Sequence, residues 1–351
     1  MSSPDAVSGT SRAGDDLVKV LVTGGSSLIG AGVAASLAAR GDDVVVQQRH
    51  RSGALGTPIR QELGDIRDLD AVVAASAGCD AIVHLAAKVG VVGDWEDYRS
   101  INVDGTRNVL AAARRHGISR VVHVSSPSVA HGGEPIIGSP ADAPVLGRRR
   151  AWYPESKAMA EIDALDAAGD ELAVVAIRPH LVWGPGDTQL VGRIVDRAAS
   201  GRLALVGGGR ALVDTTYIDN AVGALVAALD ALEPGARCSG RAYVVSNGEP
   251  RMIRELVEGI CRAAGVPFAP RTVSLRIGRS VGAVVERAWP LLHRSDEPPL
   301  TQFLAEQLGT AHWFDPRPAR DDLRWSPSVT IDDGLARLAA WYGADRRSAA
   351  P

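Results

Sequence analysis

Short apolar runs alternate with longer Ala-rich segments through the first half of the chain, and polar or glycine-rich breaks separate them. Residues 17–23, 43–47, 80–85, 120–125 and 172–178 are runs of strand length, rich in Val and Ile and apolar at consecutive positions. Consecutive rather than alternate apolar residues suit strands covered on both faces. Between them, residues 29–40 (ended by Gly41), 101–116 and 156–168 carry helical spacing. Strand–helix alternation predicts an α/β fold: a Rossmann-type doubly wound parallel sheet with helices on both faces.

Beyond Gly184 the pattern loosens, punctuated by Pro185, Gly186 and Gly207-Gly208-Gly209. A helix over 219–231 and a strand over 242–246 are expected to rejoin the sheet, and 251–264 reads as another helix. From 281 to 292, Val281, Val284, Val285, Ala288, Trp289 and Leu292 form one apolar stripe, the mark of an amphipathic helix. The expected organisation is a polar, disordered tail over 1–16 and a dinucleotide-binding core over 17–184. A smaller C-terminal substrate-binding or cap region over 185–351 follows, interleaved with the core through 219–246. Residues 1–16 lack the apolar stretch of a signal peptide. No apolar run reaches the roughly 18 residues of a membrane span.

Composition narrows the class. The 351 residues are 46% hydrophobic with a formal charge of -3, which argues against nucleic acid as a partner. Cys79, Cys238 and Cys261 are widely spaced with no CxxC, so neither a disulfide framework nor a metal site is expected. A reducing cytoplasm fits that usage.

The stretch Val20-Leu-Val-Thr-Gly-Gly-Ser-Ser-Leu-Ile-Gly30 sets a strand, a tight turn and a helix start in order. Gly24 can adopt positive φ, bare glycine backbone can approach a pyrophosphate, and a helix N-terminus faces anions. Thr23, Gly24, Gly25, Ser26, Ser27, Leu28, Ile29 and Gly30 are therefore the candidate cofactor seat. Ser27 stands where such motifs commonly carry a middle glycine, so this position needs a permissive φ or a different turn. After the second strand the chain reads Gln47-Gln48-Arg49-His50-Arg51. No carboxylate is there to take ribose hydroxyls, whereas Arg49 and Arg51 suit a 2′-phosphate, so NADP(H) is favoured and NAD(H) left open. Asp65 and Ile66 follow at a distance suited to adenine.

Tyr153-Pro-Glu-Ser-Lys157 puts Tyr and Lys on one face of a helix. A free tyrosine titrates near ~10, and a neighbouring ammonium favours its phenolate. Ser126 can hold a reacting oxygen, with Ser128 as substitute. With a dinucleotide seat, this set moves a hydride to or from a nicotinamide and a proton to or from an alcohol oxygen.

Several segments in order carry a resemblance: Thr23-Gly24-Gly25 to Gly30, Asp65-Ile66, His84-Leu-Ala-Ala87, Asn102-Val-Asp-Gly-Thr106, Val124-Ser-Ser126, Tyr153-Pro-Glu-Ser-Lys157, and Arg178-Pro179 to Gly184-Pro-Gly-Asp187. Over residues 18–342 the chain resembles the extended short-chain dehydrogenase/reductase superfamily. Lys88-Val-Gly, Trp95-Glu-Asp-Tyr98, Ser125-Ser-Pro-Ser-Val129, Pro298-Pro-Leu-Thr and His312-Trp-Phe-Asp315 look like its 3β-hydroxysteroid dehydrogenase-like branch, which includes the 2-alkyl-3-oxoalkanoate reductases.

The resemblance implies Tyr153 as acid/base, Lys157 as its partner and a ribose contact, and Ser126 as holder of the substrate oxygen. It implies Leu85, Ala86, Ala87 and Ser125 along the cofactor, and Pro179, Leu181 and Val182 beside the nicotinamide. Asn102 is expected to brace a loop. The implied reaction interconverts a ketone and a secondary alcohol on a bulky hydrophobic small molecule, a 2-alkyl-3-keto acid or a 3β-hydroxysteroid. A homodimer is implied as well, and residues 272–292 leave peripheral membrane or lipid contact open. The alternative is a nucleotide-sugar epimerase or dehydratase with tightly held NAD; a redox-sensing binding protein fits less well, because Tyr153 and Lys157 are both present.

Overall fold

Val20 and Val22 face one side of their strand and Leu21 the other, and each side is packed. The same division holds for Val44 and Val46 against Val45, and for Ala81 and Val83 against Ile82. A strand apolar on both faces needs two covering layers. The computed structural model describes residues 17–53, 55, 59–90, 93–131, 133–147, 151–289 and 301–348. The expected tail at 1–16, Leu292, and residues 298–300 lie outside them.

The strands are β1 (Lys19–Thr23), β2 (Asp43–Gln48), β3 (Arg60–Leu63), β4 (Ala81–His84), β5 (Arg120–Val124), β6 (Ile136–Ser139), β7 (Ala173–Pro179) and β8 (Val182–Trp183). Then come β9 (Ala204–Val206), β10 (Leu212–Val213), β11 (Thr216–Tyr217), β12 (Arg241–Val245), β13 (Arg251–Met252), β14 (Arg271–Val273) and β15 (His312–Phe314). The helices are α1 (Leu28–Ala39), α2 (Leu69–Ala75), α3 (Trp95–Tyr98), α4 (Gly105–His116), α5 (Trp152–Asp166) and α6 (Val191–Ala199). They continue with α7 (Ile218–Ala231), α8 (Ile253–Ala264), α9 (Leu275–Ala288), α10 (Gln302–Gly309), α11 (Arg317–Leu323) and α12 (Ile331–Ser348).

Seven strands form a parallel sheet in the order β12-β7-β5-β4-β1-β2-β3. Helices α1 and α7 bury Val33, Leu37, Leu225 and Leu229 against one face, and α2 and α4 bury Val72, Val109 and Leu110 against the other. Each such side chain contributes about 1.5–3 kcal/mol by leaving water. Chain order reverses between β1 and β4, so a crevice opens at their carboxyl ends. Beyond the sheet, α6, α8 and α12 enclose a separate apolar cluster around Trp183, Ile260 and Leu338. A small sheet, β13-β10-β15-β6, stands beside it.

The pattern reading missed β3 and α2, the helix expected from 281 begins at Leu275, and two further elements differ in kind or start. The segment expected as one helix from 101 is a π-helical stretch, Arg99–Asp104, running into α4. Helix α5 starts at Trp152 rather than 156, because Pro154 sits in its first turn, where a missing N–H costs nothing. No helix among the described residues is long and apolar enough to cross a membrane.

Candidate active site

The crevice at the strand-order reversal is a cavity of about 270 Å³. Gly24, Ser26 and Ser27 line it from the turn after β1, Gln47, Gln48 and Arg49 from the end of β2, Gly64, Asp65 and Ile66 from the end of β3, and Leu85–Lys88 from the end of β4. Gly24 has φ +77°. A Cβ there would lie 2.7 Å from Ala86 N, so glycine is what lets the two loops meet. Ser27 does not need a permissive φ: at φ −73° it is an extended N-cap. Its hydroxyl accepts from Gly30 N (3.0 Å) and donates to Gly24 O (2.8 Å), satisfying the start of α1 in place of a glycine turn. Thr23 is buried beneath the cavity, with its hydroxyl 2.7 Å from His84 Nδ1 and accepting from Ala86 N at 3.2 Å. Gly25 and Gly30 are buried behind the turn, and Leu28 and Ile29 are half-buried at the start of α1.

Five lining residues escaped the sequence reading as cofactor contacts: Gln47, Gln48, Gly64, Lys88 and Ile101. Gln47 is 1% exposed, and neither end of its amide has a hydrogen-bond partner. A buried amide left unmade is costly, so this one is poised for a ligand. Gln48 donates to Gln61 Oε1 at 2.7 Å. Arg49 is exposed at the cavity rim, whereas Arg51 is exposed outside the lining. Asp65 lines the cavity with its carboxylate clamped by Arg67, which holds it below the usual carboxylate range. These features fit a dinucleotide: glycine backbone and a helix start for phosphates, amides for a base edge, and one cation at the rim.

Past Ala87 the loop reaches the catalytic candidates through Asn102, the centre of the π-helical stretch. Its carboxamide accepts from Lys88 N (2.6 Å) and donates to Lys88 O (3.0 Å) and Ser156 Oγ (2.9 Å). Ser156 Oγ in turn donates to Tyr153 O at 2.9 Å. The brace expected of Asn102 thus ties the β4 loop to the first turns of α5. An extra residue per turn at a π-bulge often marks such functional junctions.

Tyr153 is half-buried and hydrogen-bonded to Ser126, whose hydroxyl also lies 2.9 Å from Ser128 Oγ. Burial raises the Tyr153 pKa, and the Ser126 bond only partly opposes it. Burial is the larger of these two causes and sets the direction. Lys157 is 3% exposed and donates to Val124 O at 2.6 Å. Burial brings its own pKa down to about 8, against the pull of Glu161. Glu161 is two turns along α5 from Tyr153 and fully buried against Arg178, whose Nε donates to it at 2.8 Å. Arg178 also donates to Asp142 O, fixing the chain that leads into α5.

Ser125 is buried on β5's exit, its hydroxyl without a partner. Pro179 ends β7, Leu181 follows with φ +43°, and Val182 opens β8, all three half-buried. Left-handed backbone at a non-glycine residue marks strain typical of functional loops. Ser125, Ser126, Tyr153, Lys157 and the Pro179–Val182 turn stand outside the lining of the 270 Å³ cavity, on the strands and helix next to it.

The model of the 3-beta hydroxysteroid dehydrogenase/isomerase family matches residues 21–276. A 2-alkyl-3-oxoalkanoate reductase of Stenotrophomonas maltophilia is 47% identical over 92% of this chain and 99% of that protein. A 3-beta-hydroxysteroid dehydrogenase of Mycolicibacterium neoaurum is 31% identical over 93% of this chain and 92% of that protein. Among solved structures, MoeE5 in complex with UDP-glucose and NAD superposes with a TM-score of 0.72 at 26% identity, covering 95% of this chain and all of that one.

Proposed function

The chain belongs to the 3-beta hydroxysteroid dehydrogenase/isomerase family, and from that membership we propose that it reduces the ketone of bulky, apolar 2-alkyl-3-oxo acids. It is an NAD(P)-dependent oxidoreductase of the extended short-chain type. The observation that carries the reading is geometric: Tyr153 is hydrogen-bonded to Ser126 and stands on the same helix as the buried Lys157, beside the cavity at the strand-order reversal. A phenol that keeps its proton is ready to donate one.

A bound nicotinamide supplies the hydride to the carbonyl carbon. The hydroxyls of Ser126 and Tyr153 together receive the carbonyl oxygen. As negative charge grows there, Tyr153 gives up its proton and Ser126 keeps a hydrogen bond on the oxygen. The Lys157 ammonium then stabilises the phenolate left behind, and Glu161 helps keep that ammonium charged. Substrate binding is assigned to the described part of the region after Gly184, which is interleaved with the core through α7 and β12.

NADP(H) is the cofactor we favour. Gln48 is neutral where an NAD site carries an acid, the Asp65 carboxylate is engaged by Arg67, and Arg49 offers a guanidinium to a 2′-phosphate. We expect a homodimer built on α5. The exposed stripe Ile277, Val281 and Val284 of α9 suits contact with lipid or with the substrate's alkyl chains. The three cysteines are free and buried, in keeping with a reducing compartment.

The test follows nicotinamide absorbance with NADPH and a long-chain 2-alkyl-3-keto acid, beside a second cuvette of NAD⁺ or NADP⁺ and a 3β-hydroxysteroid. Turnover in the first alone is the expected result. Turnover in the second alone moves the substrate to sterols. Protein that purifies with NAD already bound and reacts in neither cuvette would favour sugar-nucleotide chemistry.

A further inference from the structure

One buried histidine beside Lys157 has no task in this chemistry. His123 lies on β5, fully enclosed, with Nε2 3.4 Å from Lys157 Nζ. The carbonyl of the next residue, Val124, takes a second bond from the same nitrogen. An ammonium only donates, so Nε2 must accept and the ring proton belongs on Nδ1. Nδ1 has no hydrogen-bond partner. The ring thus leaves a buried N–H unmade in order to present its lone pair to the lysine.

We propose that His123 is a positioning residue for Lys157: with Val124 O it fixes two of the three ammonium N–H groups and leaves the third for the cofactor. The proposal rests on Lys157 having the role given to it above. The surroundings agree. Burial first, then Lys157, then His84 push the His123 pKa well below its ordinary value, so the ring stays neutral. His84, on β4 with its ring 5.5 Å from that of His123, is occupied by Thr23 and Thr106. On α5, Tyr153 bonds Ser126, and Glu161 is taken by Arg178 of β7. A neutral acceptor on a buried ammonium lets it keep its proton to higher pH than burial alone would.

The experiment titrates the tighter-binding reduced nicotinamide dinucleotide by fluorescence across about pH 6–10, and measures kcat over the same range, for wild type, His123→Phe and His123→Gln. In the wild type, affinity and kcat fall as pH passes about 8. In His123→Phe both limbs move down by about one pH unit, a loss in kcat of about fivefold at pH 8, while the Gln amide oxygen restores the wild-type limb. Coincident limbs in Phe and wild type, or equal shifts in Phe and Gln, overturn the proposal; a purely structural role lowers amplitudes without moving the limb. If no ketone is reduced, the functional reading fails while the binding arm still decides His123. Should neither variant fold, ¹⁵N NMR of the wild type decides: neutral, Nδ1-protonated His123 is expected, and an Nε2–H tautomer sinks the idea.

Discussion

Tyr153 and Lys157 have pKa values pushed in opposite directions by one cause, burial, and each ends in its useful form near neutral pH. Replacing Tyr153 by Phe removes the proton donor but keeps the ring, so kcat should fall by about a thousandfold with nicotinamide affinity unchanged. A stopped-flow assay beside a binding titration separates the two; a tenfold or smaller loss would assign the proton to another group. Arg49→Gln should raise the KM for NADPH by about tenfold or more and leave NADH alone, since only NADPH carries a 2′-phosphate that a guanidinium would grip. Equal effects on both cofactors would remove Arg49 from selectivity. That Tyr153 and Lys157 share one helix was legible in the sequence, because they stand four residues apart, whereas the bond from Ser126 to Tyr153 joins two separate elements and depends on the fold. Gln47 was not legible either. A glutamine at the end of a strand has no signature; what marks it is an enclosed amide without partners, a fact about packing.

At the scale of elements, the inner parallel strands were readable because each needs two apolar faces, and consecutive Val and Ile supply them, whereas the edge strand β3, Arg-Gln-Glu-Leu, is half exposed and gives no such signal. The strands of the small sheet are two to four residues long, too short for any period to declare itself. The π-helical stretch was equally hidden, since its cause is tertiary: Asn102 must turn toward both Lys88 and Ser156. Asn102→Ala would leave the Lys88 N–H and C=O without these bonds inside the protein, at a cost of about 2–3 kcal/mol. It would also release the first turns of α5, so kcat should fall more than urea stability alone explains. Unchanged kcat in a folded variant would reduce Asn102 to a loop stabiliser. The glycine turn is stricter: a Cβ on Gly24 meets backbone of Ala86, not a movable side chain, so Gly24→Ala should abolish nicotinamide binding.

Across the whole molecule, buried histidines set the response to acid. Burial depresses His84 and His312 to about 3 and His180 to about 4, and drives His123 the same way. Their folded pKa values lie below the unfolded one near 6.5, so the stability they confer is whole above about pH 6.5 and is lost as pH falls. Asp214 runs the other way. Burial raises it from 3.8 to about 6, so its contribution is whole below 3.8 and lost as pH rises through about 6. Near pH 5 the four histidines outweigh that single carboxyl, so unfolding takes up protons and stability falls as pH falls. The urea midpoint should therefore drop steeply between pH 6.5 and 5 and stay nearly level from 7 to 8. A midpoint equal at pH 5 and pH 7 would mean that these rings reach solvent in the folded protein. The His84 ring under the cofactor turn would then be mobile, and the neutral His123 proposed beside Lys157 would be lost with it.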